Sequence, residues 1–403
     1  MIKYLQADKL KVGMYIHDLG ADWSTHPFVR SRFLLGSDAD IDTIQRCGIR
    51  HVYIDTDRGL DVSDAQPEAE RTAELHAEMM AIAAEPILIP RAELQEEVGR
   101  AKRLRHQATQ AVRTVMQDVR LGKAVQLGDV EPLITAMAES VLRNPGALIS
   151  LAQIKDKDQY TFQHSVSVGT LMIAFAHSLG MTQTQIHQAG LGGLLHDAGK
   201  ALVPDEILNK PGRLTEAEFD IIKLHPSDGH AFLQRSEGIG AIPLDITLHH
   251  HERIDGTGYP HGLKGDDISL KARMAAIVDV YDAITADRCY HRGIAPTDAL
   301  RKIFEWSKTH LDPELVKAFM RCIGIYPVGT LVRLESGRLG IVTEHNPDSL
   351  LQPRLKIIYD TRKQGYVSPY QVDLSRSMGR GGADAIASHE SADKWGIDPG
   401  RFL

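Results

Sequence analysis

Between His164 and Asp282, histidine and aspartate recur at positions where an unpartnered polar side chain would be costly. The run Ile277-Val278-Asp279-Val280-Tyr281-Asp282-Ala283 sets a carboxylate in an apolar helix, a cost that a bound cation removes. Leu194-Leu195-His196-Asp197-Ala198-Gly199-Lys200 follows another apolar helix. Continued as helix, it puts His196 and Lys200, four apart, on one face with Asp197 beside them. Upstream, His164 falls in the first turns of a helix opened by Asp158-Gln159-Tyr160. Downstream, Pro226 biases His225 away from helical backbone. Leu248-His249-His250-His251-Glu252 then runs into the Gly-rich stretch Arg253-Ile254-Asp255-Gly256-Thr257-Gly258-Tyr259-Pro260. Three successive histidines diverge on any regular element, so core packing does not account for them. One turn of chain at His196-Asp197 could offer an imidazole to one ion and a carboxylate to two, with Lys200 aimed at a substrate phosphate. Alone, a His-Asp dipeptide is common, and the signal lies in the set. His249 reads as a residue beside the ligands or at the surface, and His177, His187, His230 and His261 as surface or satisfied core residues.

The 403 residues allow two or three domains, and 43% hydrophobic content suffices for a packed core. The formal charge of −7 argues against a protein that coats a nucleic-acid polymer, which needs a surplus of cations. A small phosphorylated ligand needs only a few local ones. Cys47, Cys289 and Cys322 are scattered and read as free thiols of a reducing compartment. The opening MIKYLQADKLKVGMYI lacks the apolar run of a signal peptide, and no stretch approaches the roughly 18 apolar residues of a membrane span. The expectation is a soluble cytoplasmic protein.

The fold expected is mainly α. Residues 1–60 read as a small α/β regulatory domain, with strands at Met14-Tyr15-Ile16 and Val52-Tyr53-Ile54 and a short helix from Asp40 to Cys47 ended by Gly48. Residues 61–129 read as a linker followed by one long helix from Glu93 to Val119, a signalling stalk, dimer seam or solvated surface helix. Residues 130–325 read as a strongly helical block. Alternation over 326–374 indicates a small β subdomain, and 375–403 a loosely ordered tail.

The ordered set His164, His196-Asp197-x-Gly-Lys200, His225-Pro226, His250-His251-Glu252, Asp255-Gly-x-Gly258-Tyr259-Pro260 and Asp279-x-x-Asp282-Ala resembles the HD-GYP family. Residues 1–60, with Trp23 and His26-Pro27-Phe28, are similar to an N-terminal domain of unknown function found ahead of such domains. The resemblance implies an all-helical HD-type dimetal phosphohydrolase domain. His164, His196, Asp197 and Asp279 would hold one metal and His225, His250 and His251 a second, with Asp197 shared. It also implies a cyclic di-GMP phosphodiesterase giving pGpG or GMP, in which a hydroxide bridging the two metals attacks phosphorus. Asp197 and Lys200 would serve catalysis, and Lys200, Arg288, Gly258, Tyr259 and Pro260 would contact substrate. Glu252, Asp255 and Asp282 would support the ligands from behind. A nitrogen–oxygen shell without thiolate suits iron or manganese, with zinc, nickel or cobalt possible. Some members bind a third metal through a Glu where this chain has Tyr160, so two metals are expected. Partners implied are cyclic di-GMP and pGpG, diguanylate cyclases of the GGDEF type met through the Gly-Tyr-Pro loop, and a second copy of the chain. Competing readings are a dimetal oxygenase and a non-enzymatic messenger sensor.

Overall fold

The computed structural model describes the chain except residues 22–25, 27, 29–31, 83–91, 93, 129, 153–159, 211–213, 287–292, 347–348, 377–383 and 403, and a few side chains, among them that of Tyr160. Arg288, Trp23 and Pro27 lie outside the described residues.

The N-terminal unit is an antiparallel sheet ordered β3-β2-β4-β1-β5, with β1 at Ile2–Gln6, β2 at Tyr15–Asp18, β3 at Phe33–Leu34, β4 at His51–Asp55 and β5 at Gln66–Pro67. Period-2 alternation sends Leu5, Ile16, Val52 and Ile54 to one face. There they meet Ile41 and Ile44 of helix α1, Asp38–Arg46. This unit runs past residue 60, because β5 pairs with β1 and Ala65 joins its core.

The segment expected to be a linker is instead packed structure. Helix α2, Glu68–Ile82, buries Leu75 and Met79 in the main core. Helix α3, Leu94–Arg120, presents Ala101, Leu104, Ala108, Val112, Val115 and Val119 as a buried stripe at three- and four-residue spacing. It packs on the catalytic helices, so within this chain it is neither a free stalk nor a solvated surface helix.

The catalytic block comprises α4 Val130–Arg143, α5 Pro145–Ala152, α6 Tyr160–Ser178, α7 Gln183–Leu195, α8 Asp205–Leu208, α9 Glu216–Ile222, α10 His225–Leu233, α11 Ala241–His249, α12 Leu270–Thr285, α13 Pro296–Trp306 and α14 Pro313–Ile323. Helix α6 is its centre, packed against α3, α4, α5, α7, α12 and α14. The N-terminal unit docks on α13 through polar contacts. Tyr53 donates to Glu305 (2.9 Å), Arg71 bridges to the same carboxylate (3.3 Å), and Lys302 pairs with Asp18.

A second antiparallel sheet follows, ordered β10-β6-β7-β8-β9, with β6 at Leu331–Leu334, β7 at Arg338–Asn346, β8 at Ser349–Asp360, β9 at Gly365–Asp373 and β10 at Ile386–His389. The last strand corrects the expectation of a loose tail. Strand β10 pairs with β6, helix α15 (Ala392–Trp395) follows, and Ile397 closes a small core with Leu331, Leu339, Ile341 and Ile358. One short strand and one apolar residue are too little pattern to show in the sequence. No helix among the described residues is long and apolar enough to cross a membrane.

Candidate metal centre

Five histidines and two aspartates from five helices or their ends converge in the block's interior. His164 comes from α6, His196 and Asp197 from just beyond α7, His225 from the start of α10, His250 and His251 from just beyond α11, and Asp279 from α12. All are buried, His196 and His225 completely. His164 Nε2 lies 2.9 Å from Asp279 Oδ1 and 3.6 Å from Asp197 Oδ2. His196 Nε2 lies 3.3 Å from Asp197 Oδ2 and 3.6 Å from Asp279 Oδ1. On the other side of Asp197, Oδ1 lies 3.3 Å from His225 Nε2 and 3.8 Å from His250 Nε2. His251 approaches Asp279 at 3.9 Å.

Helix ends aim these imidazoles. The last carbonyls of a helix have no intrahelical partner, and three ligand histidines use them. His196 Nδ1–H donates to Gly193 O (2.7 Å), His225 Nδ1–H to Ile222 O (2.8 Å) and His250 Nδ1–H to Thr247 O (2.9 Å), each three residues back at the end of α7, α9 and α11. His164, in the second turn of α6 rather than at a helix end, donates Nδ1–H to Asp282 Oδ2 instead (2.6 Å). With Nδ1 protonated, the Nε2 lone pair of all four faces the centre. Sequence reasoning missed these carbonyls, whose signal is a histidine at the close of an apolar helix.

Two local expectations are corrected. His196 and Lys200 do not share a helix face, since α7 ends at Leu195 and Ala198–Leu202 is a 3-10 turn. The turn presses its backbone against the start of α10, where a Cβ on Gly199 would lie 2.0 Å from His225 O. Lys200 Nζ therefore folds back onto Asp197 Oδ2 (2.7 Å). His225 is helical after all, because Pro226 occupies the first turn of α10, where a missing N–H costs nothing.

Charge follows from packing. Burial disfavours a charged His196, but Asp197 and Asp279 outweigh it and lift its pKa to about 10. Burial, with His196 and His225 alongside, pushes His250 down to about 3, and burial with His250 and His225 puts His251 well below the usual histidine range. Burial opposes ionisation of Asp197 and Asp279, yet their histidine neighbours, joined at Asp197 by Lys200, hold both well below the carboxylate range. The cluster is thus two carboxylates, neutral imidazoles at His225, His250 and His251, and a proton held at His196 that a cation would displace, the donor set of a divalent transition metal. Three groups have ligand atoms within 4.8 Å of one another: His164, His196 and Asp279; His225, His250 and His251; and His196, Asp197 and His250. His196 Nε2 and Asp197 Oδ1 are buried without a hydrogen bond, as ligand atoms awaiting a cation would be. The residues fit two ions sharing Asp197.

Of the other expected site residues, Glu252 accepts the His261 and Leu263 N–H groups (2.7 and 3.0 Å) and braces the Gly-rich loop. Tyr259 stacks on His251, ring centroids 4.7 Å apart and planes at 29°, and its N–H donates to His251 O (3.2 Å). Gly258 sits where a Cβ would lie 2.5 Å from His251 O, and Pro260 follows it in the same loop. Asp255 does not back a ligand. It faces away, accepting from Thr257 N–H (3.0 Å) and hydroxyl (2.7 Å). His249, beside the ligand pair, bonds Asp245 (2.7 Å) and His261 (3.2 Å).

Residues 2–130 match the family described as a domain of unknown function (DUF3391), and residues 149–315 match an HD domain. Over 402 residues the chain is 43% identical to a cyclic di-GMP phosphodiesterase of Pseudomonas aeruginosa, covering 98% of this chain and 94% of that one. It is 36% identical over 176 residues to the 3'3'-cGAMP-specific phosphodiesterase 1 of Vibrio cholerae, covering 43% and 41%. A solved HD-GYP-type protein of Bdellovibrio bacteriovorus is 18% identical, with a TM-score of 0.47 over 79% of this chain and 98% of that one. The chain belongs to the HD-GYP family, with a DUF3391 unit ahead of its HD domain.

Proposed function

We propose that the chain is a metal-dependent phosphodiesterase hydrolysing 3',5'-cyclic di-GMP to pGpG, GMP or both. The observation that carries this reading is the pair of buried ligand groups sharing Asp197, with Lys200 at 2.7 Å from its carboxylate. His164, His196 and Asp279 would hold one ion and His225, His250 and His251 the other. Two divalent ions, when bound, supply a water activated near neutral pH and positive charge at the non-bridging phosphate oxygens. The Nδ1–H bonds keep each imidazole in the ligating tautomer. Lys200 holds Asp197 oriented and places a cation where charge grows on the phosphoryl group. Tyr259, Gly258 and Pro260 wall one side of the site and contact substrate, and Arg288 contributes a further cation.

The thiolate-free shell of imidazoles and carboxylates suits iron or manganese and also accommodates zinc, nickel or cobalt. The Gly-Tyr-Pro loop is the surface offered to GGDEF-type cyclases, a second copy of the chain is the further partner, and the site of action is the cytoplasm. Similarity to a 3'3'-cGAMP-specific enzyme supports the mixed dinucleotide as a second substrate.

The test is product chromatography of both cyclic dinucleotides with protein loaded anaerobically with Fe(II) or Mn(II). Cyclic di-GMP should be converted to pGpG or GMP, and Asp197→Ala should abolish it. Absence of turnover with Fe, Mn, Zn, Ni and Co, in air and without it, overturns the reading. Faster turnover of 3'3'-cGAMP replaces the substrate assignment.

A further inference from the structure

The Gly-rich loop touches two units. On the catalytic side, Ile254 N–H donates to His310 O (3.1 Å), Glu252 braces His261 and Leu263, and Tyr259 lies on His251. On the other side the loop meets the turn Gly48-Ile49-Arg50, which joins α1 to β4. A Cβ on Gly48 would lie 2.8 Å from the Thr257 methyl, and the φ of +73° there already favours glycine, so backbone itself forms the contact. Next to it, Arg50 Nη2 lies 3.7 Å from Asp255 Oδ2. The Asp255 side chain is only 6% exposed, its Oδ1 is taken by Thr257, and its Oδ2 is buried without a hydrogen bond. The Arg50 guanidinium, itself 56% exposed, is the one cation among the described residues paired with that oxygen.

We propose that Arg50 is a positioning residue for the metal centre: it holds Asp255, and through it the Gly258-Tyr259-Pro260 segment, in the form that stacks Tyr259 on His251. Loss of the guanidinium leaves a nearly buried carboxylate without a counter-charge, and an unpaired buried charge moves towards water. Thr257 is bonded to the other oxygen of Asp255 and moves with it, and Gly258 and Tyr259 are the next two residues. The N-terminal unit thereby completes the wall of the site from outside the catalytic domain. A signal that shifts the α1–β4 turn would change substrate binding without touching a ligand. The kinetic consequence rests on the phosphodiesterase reading; the structural one does not.

The experiment compares full-length Mn(II)-loaded wild type, Arg50→Ala, Arg50→Lys and Asp255→Asn by amide hydrogen exchange over 255–262 and by steady-state kinetics with cyclic di-GMP. Arg50→Ala should speed loop exchange about three- to fivefold and raise KM about two- to fivefold, with kcat within about twofold and bound manganese unchanged. Asp255→Asn should match it. Arg50→Lys should restore most of both, because a 3.7 Å contact asks for charge rather than a bidentate fork. Unchanged exchange in Arg50→Ala, or equal damage by Ala and Lys, overturns the proposal. Wild type that binds manganese but turns over nothing defeats the phosphodiesterase reading alone, and the exchange contrast still decides the role of Arg50.

Discussion

Nδ1 of His164 on α6 and Oδ2 of Asp282 on α12 stand 2.6 Å apart with both side chains 3% exposed. The carboxylate does for a histidine near the start of a helix what helix-end carbonyls do for His196, His225 and His250. It fixes the tautomer and makes Nε2 a better donor to a metal. Asp282→Asn, which keeps the size but not the charge, should weaken divalent-metal binding about 10- to 100-fold. Manganese titration with calorimetric detection checks this. Affinity equal to wild type would remove the orienting role.

Gly199 allows the turn after Asp197 to press against the start of α10. Gly199→Ala puts a methyl group 2.0 Å from His225 O, a backbone atom that cannot swing aside. The variant should lose about 3 kcal/mol or more of stability and bind metal at one site rather than two, because His225 is the ligand displaced. Thermal melts and metal analysis are the measurements. A melt within about 2 °C of wild type would show that the turn yields more easily than its packing implies.

Chelation removes cations from a site holding two carboxylates and inward-facing imidazoles, and so should lower the melting temperature. Re-addition of Mn(II) at about 100 times its Kd should recover about 2.7 kcal/mol per site. In Asp197→Ala the gain should shrink at both sites, since both groups use that carboxylate. Differential scanning calorimetry across a metal series tests this, and an equal gain in the variant would refute a shared Asp197.

His345, on β7, donates Nε2–H to Tyr326 O (3.2 Å), and burial lowers its pKa to about 4 despite that bond. Its folded pKa lies below the unfolded value of about 6.5, so the unfolded chain takes up the proton first as pH falls. The contribution is complete above about pH 6.5 and is lost progressively down to about pH 4, on the order of 2–3 kcal/mol in all. His345→Gln keeps a donor to Tyr326 O and should flatten the dependence of stability on pH across that window. Denaturant titrations at pH 7 and 4.5 on both proteins would show it, and parallel curves would exclude His345 as the cause.

The residues that converge at the candidate metal centre were legible because chemistry leaves few alternatives for Asp279 inside an apolar helix, or for three histidines in a row ahead of a Gly-rich loop. The β-sheets were legible where alternation was long, as in β7 and β8, and not in β10, where four residues carry too little pattern. Helix α3 was visible as a helix but not as core. Its buried stripe is largely Ala and Val among many charged residues, a face that becomes apolar only when a partner covers it.

By itself, then, the chain's residue pattern determined that its middle is a helical block carrying a set of metal-ligand residue types, because helical periodicity and the cost of ionisable groups in apolar runs are local properties. Tertiary packing alone decided which atoms face one another. The helix-end carbonyls that turn His196, His225 and His250 inward, the fold-back of Lys200 onto Asp197, and the reach of Arg50 to Asp255 join residues whose meeting depends on how helices stop and cross. No local pattern encodes those distances, since they follow from the excluded volume of everything packed around them.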